Sequence, residues 1–343
     1  MIEGAPPPET PQPDPEGPAR ATAAAPEPAA RRFRLDWRIL PPLVVTVVVM
    51  LVLVRRLAGP EAFFAALAGA DWSLLLAAVA LVAANLWLAA QRWIVVLAAM
   101  GIRLSLARAL EAMLATWPLA LLTPGRASDV LRGVAIRDVA PVLVGTGSVL
   151  AERAIDLQSL CLITLVGGAM VGVRSAVVLA AVLLALEWAV IVLVVRRADL
   201  VLRLPLLRRR PAQVEQLLLA FGALLRAPRR LLVAALLSLS SWAAAVAMLQ
   251  TLLWMTHAEV DPLRTLALWP AAVLAGMVPI TLAGMGTRDG AFVYLLGATG
   301  YRPILEGPLL AATFGYAVLG TLLFAIAGIP FTVRFVLRLS RAG

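Results

Sequence analysis

The chain has 343 residues, 62% of them hydrophobic and 15% charged, against about 45–50% apolar and about 25% charged in a soluble domain. Several apolar runs reach the ~20 residues that cross a bilayer, so a soluble globule is excluded and a polytopic helical membrane protein is expected. The net charge of +10 comes from arginines that flank apolar runs, where topology and anionic headgroups explain it; nucleic acid is not an expected partner. Cys161 and His257 are the single cysteine and histidine. No disulfide can form within the chain, and neither a Cys/His metal site nor a histidine triad is expected, nor any cofactor.

Residues 1–30 are rich in Pro, Ala and Glu and are expected to form a disordered tail ahead of a single membrane domain at 31–343. Arg31–Arg38 precedes a first span at about 39–57, which places the N-terminus in the cytoplasm, although Arg55 and Arg56 at the far end oppose that orientation. A span at 72–90 follows, with Gln91, Arg92 and Trp93 read as its cytoplasmic flank. Leu106–Leu122 is apolar but carries Glu111 and Pro118, and the polar stretch 125–139 follows it. A hairpin over about 107–140, entering and leaving on one side, fits better than a crossing.

Next come spans at 145–171 and 175–195. The first carries Glu152, Arg153 and Asp156; Glu152 and Asp156 share a helix face, and Arg153 can pair with Asp156. The second carries Glu187, a structural acid or a proton relay. Residues 196–230 hold nine arginines and read as a cytoplasmic connection, with an amphipathic interfacial helix at Gln213–Leu225. Spans at 231–255 and 307–333 enclose a second broken stretch, 265–300. Arg334, Arg338 and Arg341 put the C-terminus in the cytoplasm as well.

Two stretches break the rules for lipid-facing helices. Leu274–Gly290 holds Pro279, Gly284, Gly286 and Gly290 with the adjacent pair Arg288 and Asp289, and Thr123–Arg132 repeats the character: Pro, Gly, then Arg126, Asp129 and Arg132. Backbone freed by Pro and Gly must be wrapped in protein or line a wet cavity, and charges at such depth mark a pathway or a ligand site. Paired interruptions in two halves point to a transporter-like site. The expected fold is therefore all-α and polytopic, with about six spans plus two re-entrant helical hairpins in an inverted repeat.

At these residues the chain resembles the flippase-like lysylphosphatidylglycerol synthase transmembrane family, which includes the membrane half of the multiple peptide resistance factor. PITLAGMGTRDG is similar to that family's Pro-Ile-Thr-Pro-Gly-Gly-Leu-Gly-x-x-Glu-Gly signature, and TPGRASDVLR to its Pro-x-x-x-Gly-Glu-x-x-Arg signature. Glu152, Arg153 and Asp156 fit its Glu-Arg-x-x-Asp pattern. The likeness covers roughly 40–335. Asp129 and Asp289 stand where the family has Glu, each one methylene shorter, and Ser128 and Ala283 where it has Gly. The resemblance implies movement of an aminoacylated or other anionic phospholipid, or a glycolipid, between leaflets of the bacterial cytoplasmic membrane.

The candidate substrate-binding residues are Arg126, Asp129, Arg132, Glu152, Arg153, Asp156, Pro279, Thr281, Gly284, Gly286, Arg288 and Asp289. Arginines would take a phosphate, while Asp129 and Asp289 would receive a cationic or hydroxylated headgroup. The rival readings are structural: Arg288 and Asp289 as a mutual ion pair, Glu152, Arg153 and Asp156 as a helix clamp. The chain is expected not to be an enzyme. Two alternatives stay open: a membrane-embedded lipid glycosyl or acyl transferase, and a non-catalytic partner subunit of an envelope-lipid synthase. Candidate partners are a membrane lipid, a separate lipid-modifying enzyme and further copies of the chain.

Overall fold

The structure, a computed structural model, describes residues 40–121, 129–196, 221–278, 281, 284–301 and 306–340. The tail, Arg126, Pro279 and most of the Arg-rich connection lie outside these residues; of the Gln213–Leu225 stretch, only 221–225 is described, and it is helical. The described residues are helical and contain no strand. In chain order the helices are α1 (Leu40–Leu53), α2 (Pro60–Ala68), α3 (Leu75–Ala99), α4 (Leu106–Leu121), α5 (Leu131–Ala135) and α6 (Val142–Met170). After them come α7 (Arg174–Arg196), α8 (Pro228–Met255), α9 (Pro262–Gly276), α10 (Thr287–Ala298), α11 (Glu306–Ala317) and α12 (Leu323–Ser340). A π-helical turn, Val318–Leu322, joins α11 to α12, and another, Val54–Ala58, closes α1.

Local chemistry sets the boundaries. Pro60, Pro228 and Pro262 open their helices at the first turn, where the missing N–H costs nothing. Asp261 also caps α9 by accepting the Leu263 N–H. His257, at φ 57°, turns the chain out of α8 and sets its ring nitrogen 3.2 Å from the Gly69 carbonyl oxygen.

Among the described residues, four helices are long and apolar enough to cross a membrane: Trp72–Ala99, Arg174–Leu193, Pro228–Met255 and Gly307–Leu339. α6 is longer than a bilayer requires, at 29 residues or about 43 Å, but it carries Glu152, Arg153 and Asp156 at its middle. One expected boundary is corrected. The span read as ending at 90 continues to Ala99, so Arg92 and Trp93 lie inside it and are buried rather than flanking it. Arg92 can sit there because acids on another helix neutralise it, a long-range fact that a hydropathy window does not contain.

Residues flanking each broken stretch lie close together. At the first, Arg108 near the start of α4 donates to the Ala135 carbonyl at 3.0 Å and to Asp138 at 2.8 Å. At the second, Arg264 near the start of α9 lies 5.2 Å from the ring centroid of Tyr301, beyond α10.

Span 72–90, hairpin 107–140 and span 145–171 form one expected unit, and 231–255, 265–300 and 307–333 the other; the packing partners are exchanged between them. α3 lies against α8, α4 against α12, and α9 against α6. α4 and α9, the arms of the two expected hairpins, thus each pack on the last helix of the other unit. Both exchanged contacts are backbone-close: a Cβ on Gly167 of α6 would come 2.5 Å from Ala267 Cα on α9, and one on Gly328 of α12 would come 2.4 Å from the Leu114 carbonyl oxygen on α4. Small residues at helix crossings allow this approach without side-chain clash. Both hairpin arms also carry an internal proline, Pro118 and Pro270.

The turn into α10 depends on glycine. Gly284 and Gly286 take φ values of 75° and 89°, and a Cβ on Gly286 would meet Val49 Cγ1 of α1 at 2.6 Å. Gly286→Ala is expected to lower stability by about 1–3 kcal/mol, from a strained backbone plus this clash. Gly297→Ala, in a helix with open space around it, should be neutral or mildly stabilising. Melting temperatures of the purified variants check the pair; equal values would refute the argument.

Candidate functional site

The site begins with a charge problem on α6. Glu152 and Asp156 face one way, and neighbouring Arg153 balances one of them. The second cation is Arg92 of α3, only 2% exposed. It donates to Glu152 Oε1 from Nε at 3.2 Å and from Nη2 at 2.8 Å, and to Asp156 Oδ2 from Nη2 at 3.0 Å. Nη1 adds Asp156 Oδ1, which also accepts the Ser238 hydroxyl of α8 at 2.8 Å. Three helices, α3, α6 and α8, are tied at this one guanidinium. Arg132, from the first broken stretch, adds an ion pair to Glu152 Oε2 at 2.8 Å without hydrogen-bond alignment. It also stacks 5.2 Å from the ring of Trp93, whose Nε1 donates to Ser148 at 2.9 Å.

The second broken stretch builds a parallel arrangement. Arg288 donates to Asp289 Oδ1 from Nε and Nη2 at 3.2 and 3.1 Å. Its guanidinium lies 4.8 Å from the rings of both Trp269 and Tyr316, a cation–π setting that holds charge in low dielectric. Asp289 Oδ2 accepts the Gly286 N–H at 2.8 Å and so caps the start of α10. Thr281 and Thr287 share a hydrogen bond of 2.9 Å across the turn.

Two adjoining cavities lie at these residues; both stretches line the larger, and the first stretch alone reaches the smaller. One, about 140 Å³, reaches between α3, α4 and α8 and is lined by Asn85, Arg92, Thr116, Arg132 and Ser241. The other, about 360 Å³, lies beside α6, α9 and the π-helical turn and is lined by Gly276, Thr281, Gly284, Arg288 and Thr321. Asp129, Arg153, Asp156, Trp242, Tyr316 and Gly320 line both. The π turn at Gly320 is of the kind that clusters at functional sites.

Arg153 differs from the other arginines. Its ion pairs are long, 3.7 Å to Asp129 and 3.4 Å to Asp156. Its Nε is buried without a hydrogen-bond partner, while the side chain keeps 37% exposure toward the cavity. It is a guanidinium with donors to spare, set between two carboxylates.

The sequence candidates therefore divide. Asp129, Arg132, Arg153, Asp156, Thr281, Gly284 and Arg288 line the cavities, whereas Glu152, Gly286 and Asp289 support them from behind. Arg92, Ser238, Trp242 and Tyr316 were missed. For Arg92 a signal existed: Asn85 and Arg92 are seven apart, on one face of an otherwise apolar helix, and the α6 cluster holds two acids to one cation. Trp93, read as part of a cytoplasmic flank, is instead fully buried under Arg132, and Trp269 is fully buried under Arg288. Glu187 is buried with neither carboxylate oxygen hydrogen-bonded, and it lines neither cavity.

Fold and site together define a helical membrane protein whose two interrupted segments enclose a charged, partly apolar cavity. The lysylphosphatidylglycerol synthase TM region family matches residues 39–328, and the chain belongs to that family. Membership ties it to a membrane-lipid function. No curated protein matches it.

Proposed function

We propose that the protein moves an anionic, phosphate-bearing lipid between membrane leaflets, and that Arg153 receives the phosphate. The observation that carries this reading is the convergence of both broken stretches on cavities that share Arg153, the loosely paired cation. A phosphate would offer the bidentate, charge-assisted partner that Asp129 and Asp156 give only at long range. Asp129 and Asp156 line the same cavities and would face a cationic or hydroxylated headgroup beside that phosphate.

The meeting of hairpin ends at Arg108–Asp138 and Arg264–Tyr301 supports two re-entrant hairpins, and the exchanged helix packing supports two related units of opposite orientation. Both termini would lie in the cytoplasm of a bacterium, with the protein in the cytoplasmic membrane. No chemical step is assigned: the protein would act as a carrier, supplied by a separate lipid-modifying enzyme.

The test is transbilayer movement of a labelled phosphatidylglycerol in reconstituted vesicles, expressed per folded molecule. Arg153→Gln removes one or two charge-assisted hydrogen bonds worth about 1.5–3 kcal/mol each, so transport should fall roughly tenfold or more. Melting temperature should hold, because the side chain is not tightly bonded in the resting protein. Wild-type transport in this variant would refute the assignment.

A further inference from the structure

Two faces of α4 line cavities, and the central site uses only the uncharged one. Met113, Thr116 and Trp117 point to the cavity already described, while Arg108, Glu111, Ala112 and Ala115 form the opposite stripe. That stripe lines a separate cavity of about 390 Å³, closed by the 134–138 turn and the end of α12. It shares no residue with the two central cavities.

This cavity is amphiphilic. Ala112, Ala115, Phe331 and Phe335 give it an apolar floor, and five charged side chains form its mouth. Arg108 is fully engaged by Glu111, Asp138 and the Ala135 carbonyl. Burial pushes the Asp138 carboxyl up, but the Arg108 hydrogen bond, a backbone hydrogen bond and the charges of Arg108 and Arg338 together outweigh it and hold the group below its ordinary value. Arg338 shares Glu111 with Arg108, at a longer 3.3 Å, and remains 61% exposed. Arg137 has no acidic partner among the described residues; its Nη2 donates to the Arg338 carbonyl at 3.4 Å. Three arginines against two acids leave one positive charge at the mouth. On the same end of α12, Val336 and Leu337 face outward, as they would toward acyl chains.

We propose that this is a second lipid site, occupied by an anionic phospholipid whose phosphate lies between Arg137 and Arg338 and whose acyl chain rests on Phe331 and Phe335. A free phosphate would satisfy the arginines but not the floor; a zwitterionic lipid would satisfy the floor but leave the charge uncompensated. The bound lipid would tie the base of the first hairpin to α12, and so to the other unit.

The experiment compares the full chain with Arg137→Gln/Arg338→Gln and with Arg153→Gln, in detergent supplemented with phosphatidylglycerol, phosphatidylcholine or glycerol phosphate. Phosphatidylglycerol should raise the wild-type melting temperature above the phosphatidylcholine value, and glycerol phosphate should not. The double variant should lose at least half of that difference, and Arg153→Gln should keep most of it. Native mass spectrometry, which reads only folded chains, should count one fewer retained phosphatidylglycerol on the double variant. An undiminished shift or an equal count in the double variant overturns the proposal. So does loss of the shift in Arg153→Gln, which would place the effect in the central cavity, or a full shift from glycerol phosphate alone.

Discussion

Arg92→Met should be the most destabilising single substitution in the central site. Among the described residues it leaves Glu152, 0% exposed, with an ion pair to Arg132, and Asp156 with Ser238 and the loosely held Arg153. Removing one member of a buried ionic network costs roughly 3–5 kcal/mol, because the remaining charge is stranded in low dielectric. A large share of a typical stability of about 5–15 kcal/mol would be lost, so both yield and melting temperature should fall. Met fills nearly the same volume, which keeps a cavity term out of the result. The double variant Arg92→Met/Asp156→Asn should recover part of the loss, since one stranded carboxylate goes with its partner while Glu152 keeps Arg132. Recovery fails if Arg92 contributes mainly through packing, and a single variant as stable as wild type would show that the network is not a structural tie.

This network marks where the sequence was informative and where it was not. Hydropathy located the apolar runs, because burial in hydrocarbon requires a long uninterrupted stretch. Pro and Gly located both interruptions, because freed backbone cannot face lipid. The pairing of Arg153 with Asp156 followed from helical spacing alone and is present, at 3.4 Å. Arg92 was misread because the same signal, an arginine after an apolar run, describes both a span end and a buried cation. Only the acids of α6, 60 and 64 residues away, tell the two apart. The exchanged packing of α4 on α12 and α9 on α6 was equally hidden. Its determinants are single glycines, Gly167 and Gly328, whose role depends on what lies opposite.

The two acids of the broken stretches look equivalent in sequence, yet they should respond differently to the same substitution. Asp289 is wholly buried, accepts from Gly286 and Arg288, and lines neither cavity. It fixes the turn and positions Arg288 rather than touching a ligand. Asp289→Asn leaves Arg288 buried against Trp269 and Tyr316 without its carboxylate and weakens the cap on α10. The expected cost is roughly 3–5 kcal/mol, with transport falling because folded protein is lost. Asp129 lines both cavities, and its pair with Arg153 is long at 3.7 Å. Asp129→Asn should therefore lower transport per folded molecule roughly tenfold or more if the carboxylate meets the headgroup, an effect beyond any loss of folded protein. Asp129→Glu should restore transport, since the cavity has room for one methylene; Asp289→Glu should not restore stability, because its carboxylate is fixed between two donors in a closed turn. Measuring transport and melting temperature on all four variants separates the roles. Equal behaviour of the two Asn variants would contradict the division, and a stable Asp289→Asn with no transport would move that acid from support to the ligand.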